Sequence, residues 1–163
     1  HEENIIYPAD ASDVHYEGEV VIVIGKLAKK VPLASAGDYI FGITAGNDVS
    51  ERVWQAKDLQ WVRAKGSDTF GPLGPVIVKG LNYNDLLLQT RLNGTVVQSQ
   101  RTSDLLFNFH TIVSHVSKYV TLEPGNVIFT GTPGTTKPMQ PGDVVEVEVE
   151  GVGVLRNPVA RQA

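Results

Sequence analysis

Five β-branched residues in a row, Val20-Val21-Ile22-Val23-Ile24, follow His15-Tyr16-Glu17-Gly18-Glu19 and are closed by Gly25. The run predicts a strand, because branched side chains suit a pleated surface and glycine ends it. Side chains alternate across a strand, so Glu17, Glu19, Val21 and Val23 share one face and Gly18, Val20, Ile22 and Ile24 the other. Both faces read as buried. A cleaner alternation spans residues 143–150: Val145, Val147 and Val149 face inward, and Glu146, Glu148 and Glu150 form a solvated row. Further strands are predicted at 39–45, 75–79 (short and buried), 86–92 and 154–159, the last after a turn or bulge at Gly151-Val152-Gly153. Asn93-Gly94, set between Leu92 and Val96, is a hairpin signal. The period turns helical at Leu105, Phe109, Ile112, Val113 and Val116, with Thr102-Ser103-Asp104 as candidate N-caps. His110 and His115 fall outside that apolar set and read as surface or boundary residues. Residues 35–39 suggest a helical turn, and His1-Glu2-Glu3 reads as a mobile terminus. Strands dominate, so the expected fold is mainly β (α+β): a mixed sheet rolled around a core, with one main helix and short ones, in a single domain over residues 1–163.

Chemistry enters where polar residues interrupt these patterns. Glu17 and Glu19 point toward an apolar interior, where two like charges need a positive partner. A single cation between them is one answer; a wet, frayed strand end is the other. Gly46-Asn47-Asp48-Val49-Ser50-Glu51-Arg52-Val53-Trp54-Gln55 reads as a loop entering a short helix capped by Asp48 or Ser50. The spacing of 48, 52 and 55 puts a carboxylate, a guanidinium and an amide on one helical face; an ordinary exposed ion pair is the plainer alternative. The stretch from Trp61 to Pro75 is rich in glycine and proline yet holds large apolar residues, which suggests an ordered loop carrying Lys65. A strand at 127–129 then runs into Thr130-Gly131-Thr132-Pro133-Gly134-Thr135-Thr136, whose amides and hydroxyls suit a carboxylate or phosphate, or form a plain turn. P-loop spacing is missing.

Composition narrows the classes. With 163 residues and 42% hydrophobic content the chain can bury a sizeable core. A net charge of −4 argues against general nucleic-acid affinity. No apolar run approaches membrane-spanning length. Cysteine is absent, which removes disulfides and thiolate metal sites and suits a cytoplasmic protein.

Taken together, Tyr16-Glu17-Gly18-Glu19 with its Val/Ile strand, Asn47-Asp48-Val49-Ser50 with Arg52 and Gln55, Ala64-Lys65-Gly66 with Phe70-Gly71-Pro72-Leu73-Gly74-Pro75, and Gly131-Thr132-Pro133 resemble the catalytic domain of the fumarylacetoacetate hydrolase family. The match runs from about Ile6 to Val159. It implies a β-sandwich roll and a homodimer. It implies that Glu17, Glu19 and Asp48 bind a divalent metal, and that Arg52, Gln55, Lys65 and Thr132 contact substrate or assist the chemistry. Val53, Asn126 and the Gly134-Thr135 order depart from the family pattern and bear on the shape of the substrate pocket.

An all-oxygen ligand set suits Mg²⁺ or Mn²⁺, with Ca²⁺ as a further option. The expected activity is metal-dependent hydrolysis of acylpyruvate-like 1,3-diketo acids, with Lys65 holding developing negative charge. Decarboxylation or tautomerisation of related 2-oxo acids uses the same enolate, and a non-catalytic domain stapled by its metal is the reading from another class. The family's water-activating His–Glu pair sits on a lid helix that would precede His1. The chain is therefore expected to lack its general base and to present a site open toward the N-terminus. His15 shares the strand parity of Glu17, with no carboxylate placed to orient it.

Overall fold

A computed structural model describes residues 1–162. In chain order the strands are β1 (Ile5–Tyr7), β2 (Val14–His15), β3 (Gly18–Ile24), β4 (Ile40–Asn47) and β5 (Ser50–Glu51). Two short helices follow, α1 (Arg52–Lys57) and α2 (Val62–Gly66), then β6 (Leu73–Val78). The hairpin of β7 (Leu87–Leu92) and β8 (Thr95–Arg101) leads to helix α3 (Phe109–Val116). The chain closes with β9 (Val127–Phe129), β10 (Val144–Val149) and β11 (Gly153–Arg161).

Among the described residues the strands form a five-stranded sheet in the order β1-β11-β10-β7-β8, a four-stranded sheet β6-β4-β3-β9 and a small β2-β5 pair. The pairings are antiparallel except β1 with β11, which makes the larger sheet mixed. The two larger sheets share a core. Val20, Ile22 and Ile24 of β3 pack with Leu88, Val147, Val149 and Leu155 of the other sheet, and Phe109 and Val113 of α3 close one side. A second cluster joins Ile5, Tyr16, Val49, Met139, Val145 and Val159 near the start of β3. The main core thus claims one face of β3, and the opposite face is left to Glu17, Glu19, Val21 and Val23. Every residue of β3 is buried.

Four local expectations change. Strand β6 is not buried: it is an edge strand, with Val76 and Ile77 about half exposed. Helix α3 begins at Phe109, because the Asn108 side chain accepts from Thr111 N. Residues Thr102–Asp104 form a separate 3₁₀ turn, and the Thr102 hydroxyl is spent on Leu86 N and Tyr83 O. The first residues, expected to be mobile, are tied down: Glu2 N donates to Arg156 O at 2.8 Å and Arg156 pairs with the Glu2 carboxylate at 2.9 Å. The glutamate row of β10 keeps its expected outward face, where Arg91 bridges Glu146 and Glu148.

Candidate metal centre and active site

The site forms where β3 begins. Its ladder with β4 runs the full strand, from Gly18 opposite Asn47 to Ile24 opposite Ile40. Just before it, the backbone of Glu17 is held from both sides: Glu17 N donates to Asn47 Oδ1 (2.8 Å), and Glu17 O accepts from Asp48 N (2.9 Å). These bonds bring Asp48 beside Glu17, although 30 residues separate Asn47 from Glu17. Period-2 alternation puts Glu19 on the same face. One carboxylate oxygen from each of Glu17, Glu19 and Asp48 lies within 4.8 Å of the others.

Two cations reach this cluster. Lys65 Nζ donates to Glu17 Oε2 (2.9 Å), Asp48 Oδ2 (2.6 Å) and Ser50 Oγ (2.7 Å). Arg52 Nη2 donates to Glu17 Oε1 (2.6 Å) and Thr136 Oγ1 (2.8 Å), while Nη1 donates to Gln55 Oε1 (2.8 Å). Arg52 and Gln55 therefore do act together. The predicted cap does not hold: Glu51 caps α1, accepting from Trp54 N, and its other oxygen accepts from Ser12 N and Asp13 N. Asp48 stands in the turn before β5, off the helix, so the shared face with 52 and 55 was the wrong geometry for a correct neighbourhood. Lys65 likewise sits on helix α2, not in a loop.

Glu19 differs from its two partners. Its carboxylate accepts from Gly131 N (2.6 Å), and among the described residues no lysine or arginine pairs with it. Burial pushes its carboxyl up to about 8. The Asp48 and Glu17 charges add to the rise, while the Gly131 amide and more distant Lys65 oppose it. Burial also raises Asp48, against the pull of Lys65. For Lys65 burial acts downward, but the bonds to Asp48 and Glu17 outweigh it and raise the ammonium, which stays charged. Three carboxyl oxygen donors, one of which has no cationic side chain to support its ionised form, fit a hard divalent cation.

The fourth element is the loop after β9. Thr132 Oγ1 donates to Gly18 O (2.8 Å), between the two glutamates. Gln98 was not marked from the sequence, and Asn47, Ser50 and Thr136 fell inside the sequence motifs without the roles they have here. Gln98 donates to Thr132 Oγ1 and Pro133 O, Thr136 accepts from Arg52, Ser50 accepts from Lys65, and Asn47 holds Glu17. His15 does have an orienting carboxylate: its Nε2 lies 3.0 Å from Asp13 Oδ1 and its Nδ1 2.8 Å from Thr136 Oγ1. Asp13 and His15 share strand parity, a signal that was present and unused.

A model of the fumarylacetoacetate (FAA) hydrolase C-terminal family matches residues 1–160. The chain belongs to this family. A crystal structure named 5-carboxymethyl-2-hydroxymuconate delta-isomerase, from Mycobacterium smegmatis, is 52% identical with a TM-score of 0.97, covering 99% of this chain and 64% of that one. Oxaloacetate tautomerase Fahd2a, mitochondrial, of Rattus norvegicus is 38% identical over 168 residues, covering 96% of this chain and 54% of the relative. Fumarylpyruvate hydrolase from Pseudomonas aeruginosa, solved in complex with Mn²⁺ and pyruvate, is 25% identical with a TM-score of 0.92, covering 99% of this chain and 72% of that one. The chain thus spans less than two-thirds of the length of the first two. Members of the family include isomerases, hydrolases and a tautomerase, and this fold is theirs. No helix among the described residues is long and apolar enough to cross a membrane.

Proposed function

We propose that this chain carries the active site of a divalent-metal-dependent enzyme that converts a 2-oxo acid through its enol or enolate. The observation that carries this is the uncompensated Glu19 carboxylate beside Glu17 and Asp48. Glu17, Glu19 and Asp48 would hold Mg²⁺ or Mn²⁺, with Ca²⁺ as the third option. When bound, the cation supplies Lewis-acid polarisation of a keto oxygen. Charge counting supports an anionic substrate. With Glu19 ionised, as metal binding requires, three carboxylates against Lys65 and Arg52 carry one net negative charge, and a divalent cation turns this into one net positive charge.

The remaining roles follow from hydrogen-bond capacity. Lys65 stays protonated, so it stabilises negative charge growing on a substrate oxygen and does not remove a proton. Gln55 gives its carbonyl oxygen to Arg52, which leaves its NH₂ to donate to a substrate oxygen. The Thr132 hydroxyl has only one proton and gives it to Gly18 O, so its backbone N–H is the group left for a carboxylate.

The isomerase and tautomerase names of the 52% and 38% identical proteins favour keto–enol or double-bond isomerisation as the reaction. The Mn²⁺ and pyruvate complex of the fumarylpyruvate hydrolase favours a second reading, hydrolysis of an acylpyruvate-like 1,3-diketo acid. Decarboxylation of a 2-oxo acid would use the same enolate. Incubation with oxaloacetate or an acylpyruvate, in Mg²⁺, Mn²⁺ or EDTA, separates them by enol decay, CO₂ release and loss of the diketone absorbance. Metal-dependent turnover of at least one is expected. Turnover that is indifferent to EDTA and to Lys65→Ala would rule out the proposal.

A further inference from the structure

The backbone ladder between β3 and β9 covers Val21 opposite Phe129 to Val23 opposite Val127. Extending that register would place Val20 opposite Thr130, Glu19 opposite Gly131 and Gly18 opposite Thr132. The contacts there follow this register, but side chains replace the backbone bonds. Thr130 Oγ1 donates to Val20 O (2.7 Å), Gly131 N to the Glu19 carboxylate (2.6 Å), and Thr132 Oγ1 to Gly18 O (2.8 Å). The loop keeps the register of the strand, with side chains in place of the backbone-to-backbone bonds. Opening a ladder this way exposes backbone polar groups that must find partners. At Gly18 the partner comes from the other sheet. Gln98 of β8, 5% exposed, accepts from Gly18 N (3.1 Å) and donates to Thr132 Oγ1 (2.8 Å) and Pro133 O (2.7 Å). Its three bonds use both amide protons and one carbonyl lone pair.

We infer that Gln98 is a positioning residue, the strut that sets the distance between the 131–133 loop and the Glu17–Gly18–Glu19 segment. It hydrogen-bonds to none of the cation ligands' carboxylates. It acts through Thr132, whose hydroxyl it pins toward Gly18 O. The Thr132 amide donates to no acceptor among the described residues, which leaves it free for a ligand. The inference rests on the proposed function, in that the loop amide is what would meet a 2-oxo acid's carboxylate. Displacing such a group by a fraction of an ångström costs binding more than it costs folding.

Gln98→Met keeps the side-chain length and removes all three bonds. Gln98→Glu keeps an acceptor for Gly18 N and removes both donations. With Mn²⁺-loaded protein, oxalate as the 2-oxo acid mimic should bind at least about tenfold more weakly to either variant by calorimetry. Amide exchange by mass spectrometry should quicken over residues 130–136, and the Mn²⁺ Kd should move by less than about threefold. A merely structural glutamine would lower Tm and leave oxalate affinity within about threefold of wild type at temperatures well below Tm. That outcome, or unchanged exchange at 130–136, overturns the inference. If one variant does not fold, the other decides. If wild-type protein with Mn²⁺ fails to bind oxalate at all, the proposed function falls, and the exchange measurement alone decides the role of Gln98.

Discussion

Cation binding at this site should expel a proton from Glu19. The carboxyl is held at about 8 by burial, with the like charges of Asp48 and Glu17 adding to the rise. At pH 7 a group with that pKa is protonated in about nine molecules of ten. A metal ligand must be ionised, so each Mn²⁺ bound at pH 7 should release about 0.9 proton from Glu19. Apparent affinity should rise by about tenfold per pH unit below 8 and level off above it. Stability of the metal-free protein carries the same signature with its own sign. The folded pKa lies above the reference 4.5, so the folded chain binds the proton more tightly than the unfolded one. That contribution is complete below about 4.5, falls as pH rises, and is gone above about 8, a span worth at most about 5 kcal/mol. Calorimetric titration with Mn²⁺ in two buffers of different ionisation enthalpy measures the proton count directly. Thermal melts from pH 5 to 9, with and without Mn²⁺, measure the second effect. Glu19→Gln fixes the neutral state: its metal-free melts should lose most of this pH dependence, and Mn²⁺ should no longer raise its Tm. Mn²⁺ binding with no proton release at pH 7, and with equal affinity at pH 6 and pH 8, would refute this account of Glu19.

Other residues give independent tests. Lys65→Ala should lower kcat by about 10²–10³ while metal affinity holds or improves, since an ammonium leaves Glu17 and Asp48; parallel loss of both would mean that the site itself had collapsed. Glu17→Gln should weaken Mn²⁺ binding and turnover together, and unaltered activity in metal-stripped Glu17→Gln protein would remove Glu17 from the mechanism. Glu51→Ala strips the acceptor from Ser12 N, Asp13 N and Trp54 N in a fully buried place, and urea denaturation should show a loss of about 3 kcal/mol or more. Gly18→Ala would drive a Cβ into Thr90 Oγ1 and to 3.2 Å from Gln98 Oε1, so a loss of about 1–3 kcal/mol in the same assay, with weaker oxalate binding, is expected.

Local order was largely written in the residue pattern. The parity of Glu17 and Glu19, the alternation of β10, the turn at Asn93-Gly94 and the apolar spacing of α3 are properties of a few neighbouring residues. Period and turn chemistry act over that range. Partner choice is different. The run in β6 reads as buried, yet its place at the edge of the sheet leaves Val76 and Ile77 exposed. No local period records how many neighbours a strand has. Asp48 was grouped with Arg52 and Gln55 by helical spacing, but a backbone bond to Glu17 across the β3–β4 junction is what puts it in the site. Lys65 reaches Glu17 over 48 positions and Gln98 reaches Gly18 over 80, from another sheet. The chain by itself determined which side chains face which way on each element, because rotation along the backbone is set by adjacent residues. Only the tertiary structure decided which faces meet, because that depends on how buried polar groups far apart in the chain find one another's hydrogen bonds and charge.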